Sequence, residues 1–408
     1  MSISPIIILY VFWISIFILA WCYFGYGLLI GLVNKLWRKK TIQGLNHENL
    51  PTVAILIAAY NEEACIEKKL FNSLSLHYPR GRLILHVITD GSTDKTPLLA
   101  RAIQGITVHH NETRAGKIAA LQRIIPAINE EILVFTDANC LLNQDALLNL
   151  TCHFNDPSVG AVTGEKKILS SPGSLESTEG LYWKYESWLK MEDSRFNTIV
   201  GAAGELFAIR RNLYNYLPND TLLDDFMQSM LVSIGGSKVV YEPGAMAHEP
   251  ASSSIKDEFE RKTRISAGGF QSMKRLSGYR QLWSRPLLVF QFLSHRVLRW
   301  TLCPIALPVL FISSFCLMIN PGNIILYTIA FYAQVFFYLL ALTALIMNLF
   351  KSQVACPILK VPFYFTMMNA AVYKGFWRFL RGNQTELWKK AHRNSSMTQR
   401  VEQSGQVM

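Results

Sequence analysis

Residues 52–63 read TVAILIAAYNEE, an apolar run that ends in a polar, acidic turn. Three further runs of similar character follow it, LILHVIT at 83–89, GITVHH at 105–110 and EILVFT at 131–136. Short β-branched runs bounded by turn residues are typical of strands. The stretches between them have a helical pattern, at 62–76, 95–103 and 116–128. Strands that alternate with helices predict an α/β domain with a mostly parallel sheet covered on both faces.

Polar side chains stand where these predicted strands end. Asn61 and Glu62 follow the first strand, Asp90 and Asp94 follow the second, and Asp137 follows the last. The carboxyl ends of parallel strands meet at one edge of a sheet, which is where open α/β sheets bind their ligands. We therefore expect a ligand site at this edge.

A cationic segment lies close to the same edge. TRAGK at 113–117 supplies Arg114 and Lys117 at a predicted helix start, where the helix dipole also favours anions. A nucleoside diphosphate sugar presents a base, a ribose and two phosphates, and these residue types suit each part. Taken singly, an Asp-Gly-Ser commonly forms a plain turn and an Asp-x-Asn commonly caps a helix. It is their order along the chain that favours a nucleotide-sugar site.

Order and spacing together make residues 51–278 resemble the family 2 glycosyltransferases. These are inverting GT-A enzymes that include chitin, cellulose, hyaluronan and poly-N-acetylglucosamine synthases. The resemblance implies a Rossmann-like GT-A domain that binds a nucleotide-sugar. In the family's terms Asn61, Glu62 and Asp90 contact the base and ribose, and Asp94, Arg114 and Lys117 belong to the same donor site.

The resemblance also implies a metal cofactor, Mg²⁺ or Mn²⁺. Asp137-Ala138-Asn139 stands in the place of the family's DxD motif, which holds the ribose and, through the ion, the diphosphate. Asp137 and Asn139 are the expected ligands. Because Asn139 offers a neutral oxygen, it binds a hard dication more weakly than a carboxylate does.

Two further segments resemble the family's catalytic and acceptor motifs. LLDDF at 222–226 matches the acidic pair that carries the general base, which places the base at Asp225 with Asp224 as its neighbour. GAAGELFAIRR at 201–211 resembles the small-residue acceptor segment, with Gly204 and Glu205 as candidates. Simpler interpretations stay open: the acidic pair as solvated helix-start residues, and 201–211 as a packed strand and turn.

The last motif of processive members, (Q/R)xxRW, falls on Arg261 to Ile265. The resemblance implies that Arg261 and Arg264 contact the donor, with Arg264 against the diphosphate. Ile265 replaces the tryptophan that helps to form the acceptor site, which argues against chain elongation. A basic helix face near lipid is the alternative interpretation of this segment.

The hydrophobic content, 50% of 408 residues, exceeds what a soluble domain needs, and the excess is local. Residues 6–33 are almost wholly apolar, and about 20 such residues cross the hydrocarbon core. Lys35 and the basic residues 38–40 follow, so the positive-inside rule places the next region in the cytosol. Basic residues that gather beside apolar segments explain the net charge of +11 by anionic lipid rather than by nucleic acid.

The sequence predicts five regions: an N-terminal span with its basic flank at 1–40, the GT-A domain at 51–278, an interfacial helix at 283–300, membrane segments at 301–381 and a basic cytosolic tail at 382–408. Two C-terminal spans are expected, at 301–319 and 324–350. Lys360, Asn369 and Lys374 interrupt the last apolar segment, which we expect to be re-entrant or interfacial. A fourth span stays open.

These observations predict a multi-pass protein of the bacterial inner membrane with a cytosolic catalytic domain. The expected activity is hexosyl or N-acetylhexosaminyl transfer from a nucleotide-sugar, first of all a UDP-sugar, to a lipid-linked or glycan acceptor in exopolysaccharide or capsule synthesis. Membrane lipids and accessory export subunits are the other expected partners, and nucleic acid is not. Single-sugar transfer to a polyprenyl phosphate and an inactive assembly subunit are the alternatives.

Overall fold

The computed structural model describes residues 4–37, 50–169, 176–250, 254–322, 324–349 and 357–382. The basic flank at 38–40 and the predicted tail beyond residue 382 lie outside these ranges. The first helices are α1 (Pro5–Ala20) and α2 (Tyr26–Leu36), joined by a π-helical turn at Trp21–Gly25. They are followed by an α/β domain and then by a second group of helices.

The α/β domain alternates strands and helices along the chain. Its elements in order are β1 (Val53–Ala59), α3 (Ile66–Leu74), β2 (Leu83–Asp90), α4 (Thr96–Arg101), β3 (Ile106–Asn111), α5 (Lys117–Ile124), β4 (Ile132–Asp137), β5 (Leu141–Leu142), α6 (Ala146–Thr151), β6 (Val159–Leu169), α7 (Glu176–Phe196), β7 (Leu206–Arg210), α8 (Asp224–Gly235), β8 (Lys238–Pro250) and α9 (Ile255–Leu276). The four strands and three helices predicted between residues 52 and 136 are all present.

Within the described ranges, eight strands form one sheet in the order β3-β2-β1-β4-β7-β6-β8-β5. The first four are parallel, as predicted. The second half is mixed, because β7 runs antiparallel to both β4 and β6, while β8 pairs parallel with β6. The prediction of a mostly parallel sheet therefore describes one half of the sheet well and the other half only in part.

Strand β1 shows why the sheet is covered on both faces. Val53, Ile55 and Ile57 belong to the core on one face, and Ala54 and Leu56 belong to the core on the other. Successive side chains of a strand point to opposite faces, so a strand that is apolar at every position needs cover on both. The continuous apolar run in the sequence has this physical cause.

The second group of helices completes the described chain. Its members are α10 (Arg280–Trp283), α11 (Pro286–Phe292), α12 (Leu298–Trp300), α13 (Leu302–Met318), α14 (Ile325–Leu349) and α15 (Pro357–Leu380). Among the described residues, two helical stretches are long and apolar enough to cross a membrane, Pro5–Leu36 and Ile325–Leu349. A third candidate combines Pro286–Trp300 with Leu302–Met318, which meet at a bend of 52°.

Helix α15 packs against the α/β domain rather than standing apart from it. Gly375 lies so close to α9 that a Cβ there would come 2.6 Å from the Cβ of Ser266. The rings of Phe376 and Phe270 are 5.0 Å apart at their centroids. Lys360, which interrupts the apolar pattern, is buried. Lys374 pairs with Glu260 of α9 at 2.5 Å, so the contact with α9 accounts for this polar residue, and the re-entrant or interfacial placement of α15 stays a prediction.

Candidate functional site

The site begins with a lysine held between two carboxylates. Lys117 opens α5, Asp137 ends β4 and Asp224 opens α8. The Lys117 Nζ donates to Asp137 Oδ1 at 3.0 Å and lies 3.8 Å from Asp224 Oδ2. Burial lowers the pKa of Lys117, but Asp137 and Asp224 outweigh burial and raise that pKa above its ordinary value. The site therefore holds a permanent cation at the start of a helix.

Asp225 adds a carboxylate of a different kind to the same cleft. Burial, and next the charge of Asp224, raise the pKa of Asp225 to about 7, while Lys117 opposes that rise. A cleft lined by Lys117, Gly204, Tyr214, Asp224, Asp225 and Gln228, among others, gives access to this side chain. A carboxylate that exchanges its proton near neutral pH has the property required of a general base.

Gly204 allows the predicted acceptor segment to approach Asp225 closely. A Cβ at Gly204 would lie 3.0 Å from the Asp225 Oδ2 and 3.3 Å from its Cγ. Gly204→Ala is therefore expected to push the carboxylate aside and lower kcat roughly 10-fold to 100-fold, as small misplacements of catalytic groups do. Gly235→Ala is the matched control, because nothing lies within 4 Å of its Cβ. Steady-state kinetics with unchanged kcat for Gly204→Ala would contradict this geometry.

Helix α9 carries the two predicted arginines, and they make different contacts. Burial lowers the pKa of Arg264, and the nearby charges of Asp224, Asp137 and Asp225 oppose that shift. Arg261 forms two 2.9 Å hydrogen bonds to the Glu258 carboxylate one turn away. Arg264 thus joins Lys117 as a second cation beside the acidic residues, and Arg261 is held toward its own helix.

Glu205 and Asn139 lie in a buried ion cluster that the sequence did not reveal. Lys166 on β6 bridges the carboxylates of Glu205 and Glu249. Asn139 donates from Nδ2 to Glu249 Oε1 at 3.3 Å. The cluster ties the predicted acceptor segment to the predicted metal motif. No local motif marks Lys166 or Glu249, and their distance along the chain from Asn139 kept them out of the prediction.

Asp90 is placed at the predicted edge of the sheet and shapes the cationic loop. It is 5% exposed, and its Oδ2 accepts hydrogen bonds from the backbone N–H of Ala115 at 3.0 Å and of Gly116 at 2.7 Å. Gly91 has φ +67°, and a Cβ there would lie 2.6 Å from the Arg114 Cβ. These contacts fix the loop that ends at Lys117.

Arg114 and the first polar turn form the outer part of the same edge. The Arg114 guanidinium lies over the Tyr60 ring, 3.5 Å from its centroid. Asn61 adopts a φ of 54° and accepts a hydrogen bond from the Thr93 N–H at 2.8 Å. The turn after β1 is thereby joined to the turn after β2.

Glu62 and Asp94 make contacts that hold these two turns together. The backbone N–H of Glu62 donates to Thr96 Oγ1 at 2.8 Å, and its side chain is largely buried. Asp94 accepts from the Thr96 N–H at 2.9 Å and from the Glu63 N–H at 3.2 Å. The structure therefore assigns Glu62 and Asp94 a structural task, and their contact with a ligand stays a prediction.

The predicted metal ligands form a small donor set. Among the residues that the structure describes, no group of three or more His, Cys, Asp or Glu side chains is arranged to hold a metal ion. Asp137 and Asn139 together offer two side chains with hard oxygen donors, one carboxylate and one amide. Mg²⁺ is commonly held by one or two carboxylates together with substrate phosphates. The donor set fits an ion that arrives with a diphosphate, and it does not fit a permanent all-protein site.

Comparison with known proteins decides the family. The model described as glycosyltransferase like family 2 matches residues 51–268, which is more than half of the chain. The chain belongs to this family. The match begins at the first predicted strand and ends within α9, so it includes every residue of the cleft described above.

Two curated relatives show how varied the products of related proteins are. This family 2 member is 35% identical over 174 residues to a beta-monoglucosyldiacylglycerol synthase of Nostoc sp., a match that covers 41% of this chain and 36% of that protein. It is 27% identical over 240 residues to a poly-beta-1,6-N-acetyl-D-glucosamine synthase of Staphylococcus aureus, covering 57% of this chain and 58% of that protein. The matches span less than two thirds of each relative.

A solved structure confirms the predicted GT-A fold. A mannosyltransferase from Pyrobaculum calidifontis, solved in complex with GDP-Man and Mn²⁺, superimposes on 91% of this chain with a TM-score of 0.67. The superposition covers 99% of that chain at 23% sequence identity. At this identity the likeness concerns the fold.

Proposed function

We propose that this family 2 member is an inverting glycosyltransferase that moves a sugar from a nucleotide-sugar to a lipid-linked or glycan acceptor at a membrane. One observation carries the proposal: a carboxylate with a pKa near 7, Asp225, shares a cleft with a permanent cation, Lys117. Glycosyl transfer from a diphosphate donor requires a proton acceptor on one partner and positive charge on the other.

The chemistry assigns a separate task to each group. The acceptor hydroxyl must lose its proton as its oxygen attacks the anomeric carbon, and Asp225 is placed to accept that proton. The leaving nucleoside diphosphate gains negative charge, which Lys117 and Arg264 stabilise. Direct attack of the acceptor inverts the anomeric centre, so an α-linked donor yields a β-glycoside. One base is sufficient, because the diphosphate leaves without needing a proton.

Asp137 and Asn139 are the residues that would hold a divalent ion, Mg²⁺ or Mn²⁺. When bound, the ion supplies positive charge to the diphosphate. Asp137 also orients Lys117 through their 3.0 Å contact, so the protein itself pre-arranges the donor end of the cleft.

The candidate spans support a place for the α/β domain at a membrane, and we propose that it lies on the cytosolic face of a bacterial inner membrane and acts on exopolysaccharide or capsule precursors. Two stretches, Pro5–Leu36 and Ile325–Leu349, are candidate spans on either side of the α/β domain in the described chain. Basic residues follow the first span in the sequence, which favours a cytosolic domain. Lipids and accessory export subunits complete the proposed partners.

Ile265 favours a second candidate, transfer of one sugar to a polyprenyl phosphate. Processive members have tryptophan at this position of the motif that contains Arg264, and this chain has Ile265. An aromatic face stacks on a sugar ring, and a β-branched aliphatic side chain offers no such face. The size of the product distinguishes the two candidates.

The experiment that tests the proposal is UDP release by the purified protein in lipid nanodiscs with Mn²⁺ or Mg²⁺ across a panel of UDP-sugars. Release with one donor, and loss of release in Asp225→Asn, is the expected result. Sizing the product then separates polymer synthesis from single addition. If no nucleoside diphosphate is released even with membrane lipid extract and with GDP-sugars, the inactive assembly subunit is the better explanation.

The rate of transfer is expected to follow the ionisation of Asp225. Because burial and Asp224 raise its pKa to about 7, the carboxyl group is protonated and unable to act as a base at lower pH. The kcat/KM should rise roughly tenfold per pH unit below neutrality and level off above it. Asp224→Asn removes a charge that raises this pKa, so the midpoint should move to lower pH. A kcat/KM that stays constant from acidic pH through neutrality would argue against Asp225 as the base.

A further inference from the structure

A buried lysine outside every recognised motif lies directly beneath the proposed metal motif. Lys69 is on α3 and has a side chain that is 0% exposed. Its Nζ donates to Thr136 Oγ1 at 2.9 Å and to the backbone oxygen of Cys140 at 2.8 Å. Thr136 immediately precedes Asp137, and Cys140 immediately follows Asn139. One ammonium group therefore binds both ends of the three-residue turn.

Neighbouring contacts strengthen this arrangement. One turn further along α3, Asn72 donates from Nδ2 to the Leu142 backbone oxygen at 2.9 Å and accepts from the Leu142 N–H at 2.8 Å. The Cys140 N–H also bonds back to the Asp137 backbone oxygen at 3.3 Å. Helix α3 is thus hydrogen-bonded at two positions to the segment from Thr136 to Leu142. Lys69 contacts the turn itself, and Asn72 contacts the strand that follows it.

Packing alone does not explain a lysine at this position. Removing an ammonium group from water is costly unless hydrogen bonds compensate it. A methionine has a similar unbranched shape and would fill the space without that cost. The ammonium is useful where several oxygens must be held at fixed positions, because it supplies three donors from one point. The Thr136 Oγ1 and the backbone oxygen of Cys140 are two such oxygens.

We propose that Lys69 is a positioning residue that holds Asp137 and Asn139 in the geometry that binds a divalent ion together with the donor diphosphate. This inference rests on the proposed function. Residues that orient metal ligands typically change metal affinity about 10-fold to 100-fold when they are replaced. Lys69 acts on the turn through Thr136 and Cys140 and makes no contact of its own with the reaction.

Lys69→Met tests the proposal in the full-length protein in nanodiscs, with Lys68→Met on the same helix as the matched control. Mn²⁺ binding in the presence of UDP is followed by the loss of the free-ion electron paramagnetic resonance signal. Lys69→Met is expected to raise the Mn²⁺ dissociation constant at least about tenfold, and Lys68→Met to leave it unchanged. At saturating Mn²⁺ and donor, the kcat of Lys69→Met should return to within a few fold of wild type.

A second variant keeps the test informative if Lys69→Met folds poorly. Thr136→Val removes one of the two oxygens that accept a hydrogen bond from Lys69, and leaves Lys69 and its bond to Cys140 in place. It should weaken Mn²⁺ binding in the same direction by a smaller factor. If Lys69 acts through Thr136, the double variant should bind Mn²⁺ no more weakly than Lys69→Met alone, because contacting residues are not additive.

The outcomes separate the possible roles. A lower melting temperature with an unchanged Mn²⁺ dissociation constant would make Lys69 a stability residue and overturn the inference. Tighter Mn²⁺ binding in Lys69→Met would also overturn it, since that is the effect of removing a repelling charge. A wild-type protein that binds no Mn²⁺ with UDP and releases no UDP would overturn the proposed function as well. Equal binding in wild type and variant would overturn the role of Lys69 alone.

Discussion

Asp225→Asn is expected to lower kcat on the order of 100-fold or more, the contribution typical of a positioned general base. The amide has nearly the shape of the carboxylate but cannot accept the proton that the acceptor hydroxyl must lose. Donor binding depends on Lys117 and Arg264, so the KM for the nucleotide-sugar should change little. Initial rates of UDP release at saturating donor and acceptor measure the loss.

Asp220→Asn provides the matched control for this substitution. Asp220 lies in the loop that precedes α8, outside the residues that line the cleft, and its Oδ2 accepts a hydrogen bond from Arg275 at 2.6 Å. That variant should keep the wild-type kcat. If Asp225→Asn kept the wild-type turnover, another group would have to be the base, and the proposed mechanism would lose its main support.

Asp225→Asn is also expected to preserve or increase the stability of the fold, which distinguishes loss of chemistry from loss of fold. The ordinary pKa of an aspartate is 3.8, and burial raises that of Asp225 to about 7. Between these two values the folded protein keeps a proton that the unfolded chain has lost, so the free energy of unfolding falls as pH rises through this window. Asparagine does not ionise, and the melting temperature of Asp225→Asn at pH 8 should equal or exceed that of wild type.

Lys117→Met is expected to lower kcat/KM for the nucleotide-sugar on the order of 100-fold to 1000-fold, as the removal of a pre-arranged electrostatic group does. The variant loses the cation assigned to the diphosphate. It also leaves the carboxylates of Asp137 and Asp224 without the ammonium that stands between them. Titration of UDP by calorimetry should show the loss in affinity directly.

Lys95→Met is the control, because Lys95 is an exposed lysine near the same edge of the sheet. Its effect on kcat/KM should be within a factor of two to three, the ordinary range for surface changes of about 0.5 kcal/mol. If Lys117→Met bound UDP as tightly as wild type, the donor site would have to lie elsewhere in the cleft. The assignment of the α5 start to the diphosphate would then be wrong.

The parallel half of the fold could be predicted because its signals are local. Strand β1 is apolar at successive positions, and the polar turns at Asn61 and Asp90 follow strands within one or two residues. The mixed half was predicted less well. The 11-residue strand β6 received no prediction, because Lys166 and Lys167 interrupt its apolar run. Lys166 is compensated by Glu205 and Glu249, which no local pattern records.

The predicted site residues divide in the same way. Lys117, Asp137, Asp224, Asp225 and Arg264 meet around one cleft, although the last is 147 positions after the first. Their types and order were evident from the sequence. The hydrogen bonds that Asp90 and Asp94 accept from backbone N–H groups were not, because only the folded loops bring those groups near. The contact of both residues with a donor stays a prediction.

Local sequence patterns are sufficient to predict the α/β alternation, the apolar ends of the chain and the acidic and basic residues that the chemistry needs. Periodicity and residue type are properties of a few consecutive positions, and they are present before the chain folds. The raised pKa of Asp225, the hydrogen bonds from Arg261 to Glu258 and the contact of Lys69 with the turn before Cys140 arise from the folded arrangement of the chain. Burial and the proximity of charges depend on distances in space. Segments that are far apart in the sequence determine those distances when the chain folds.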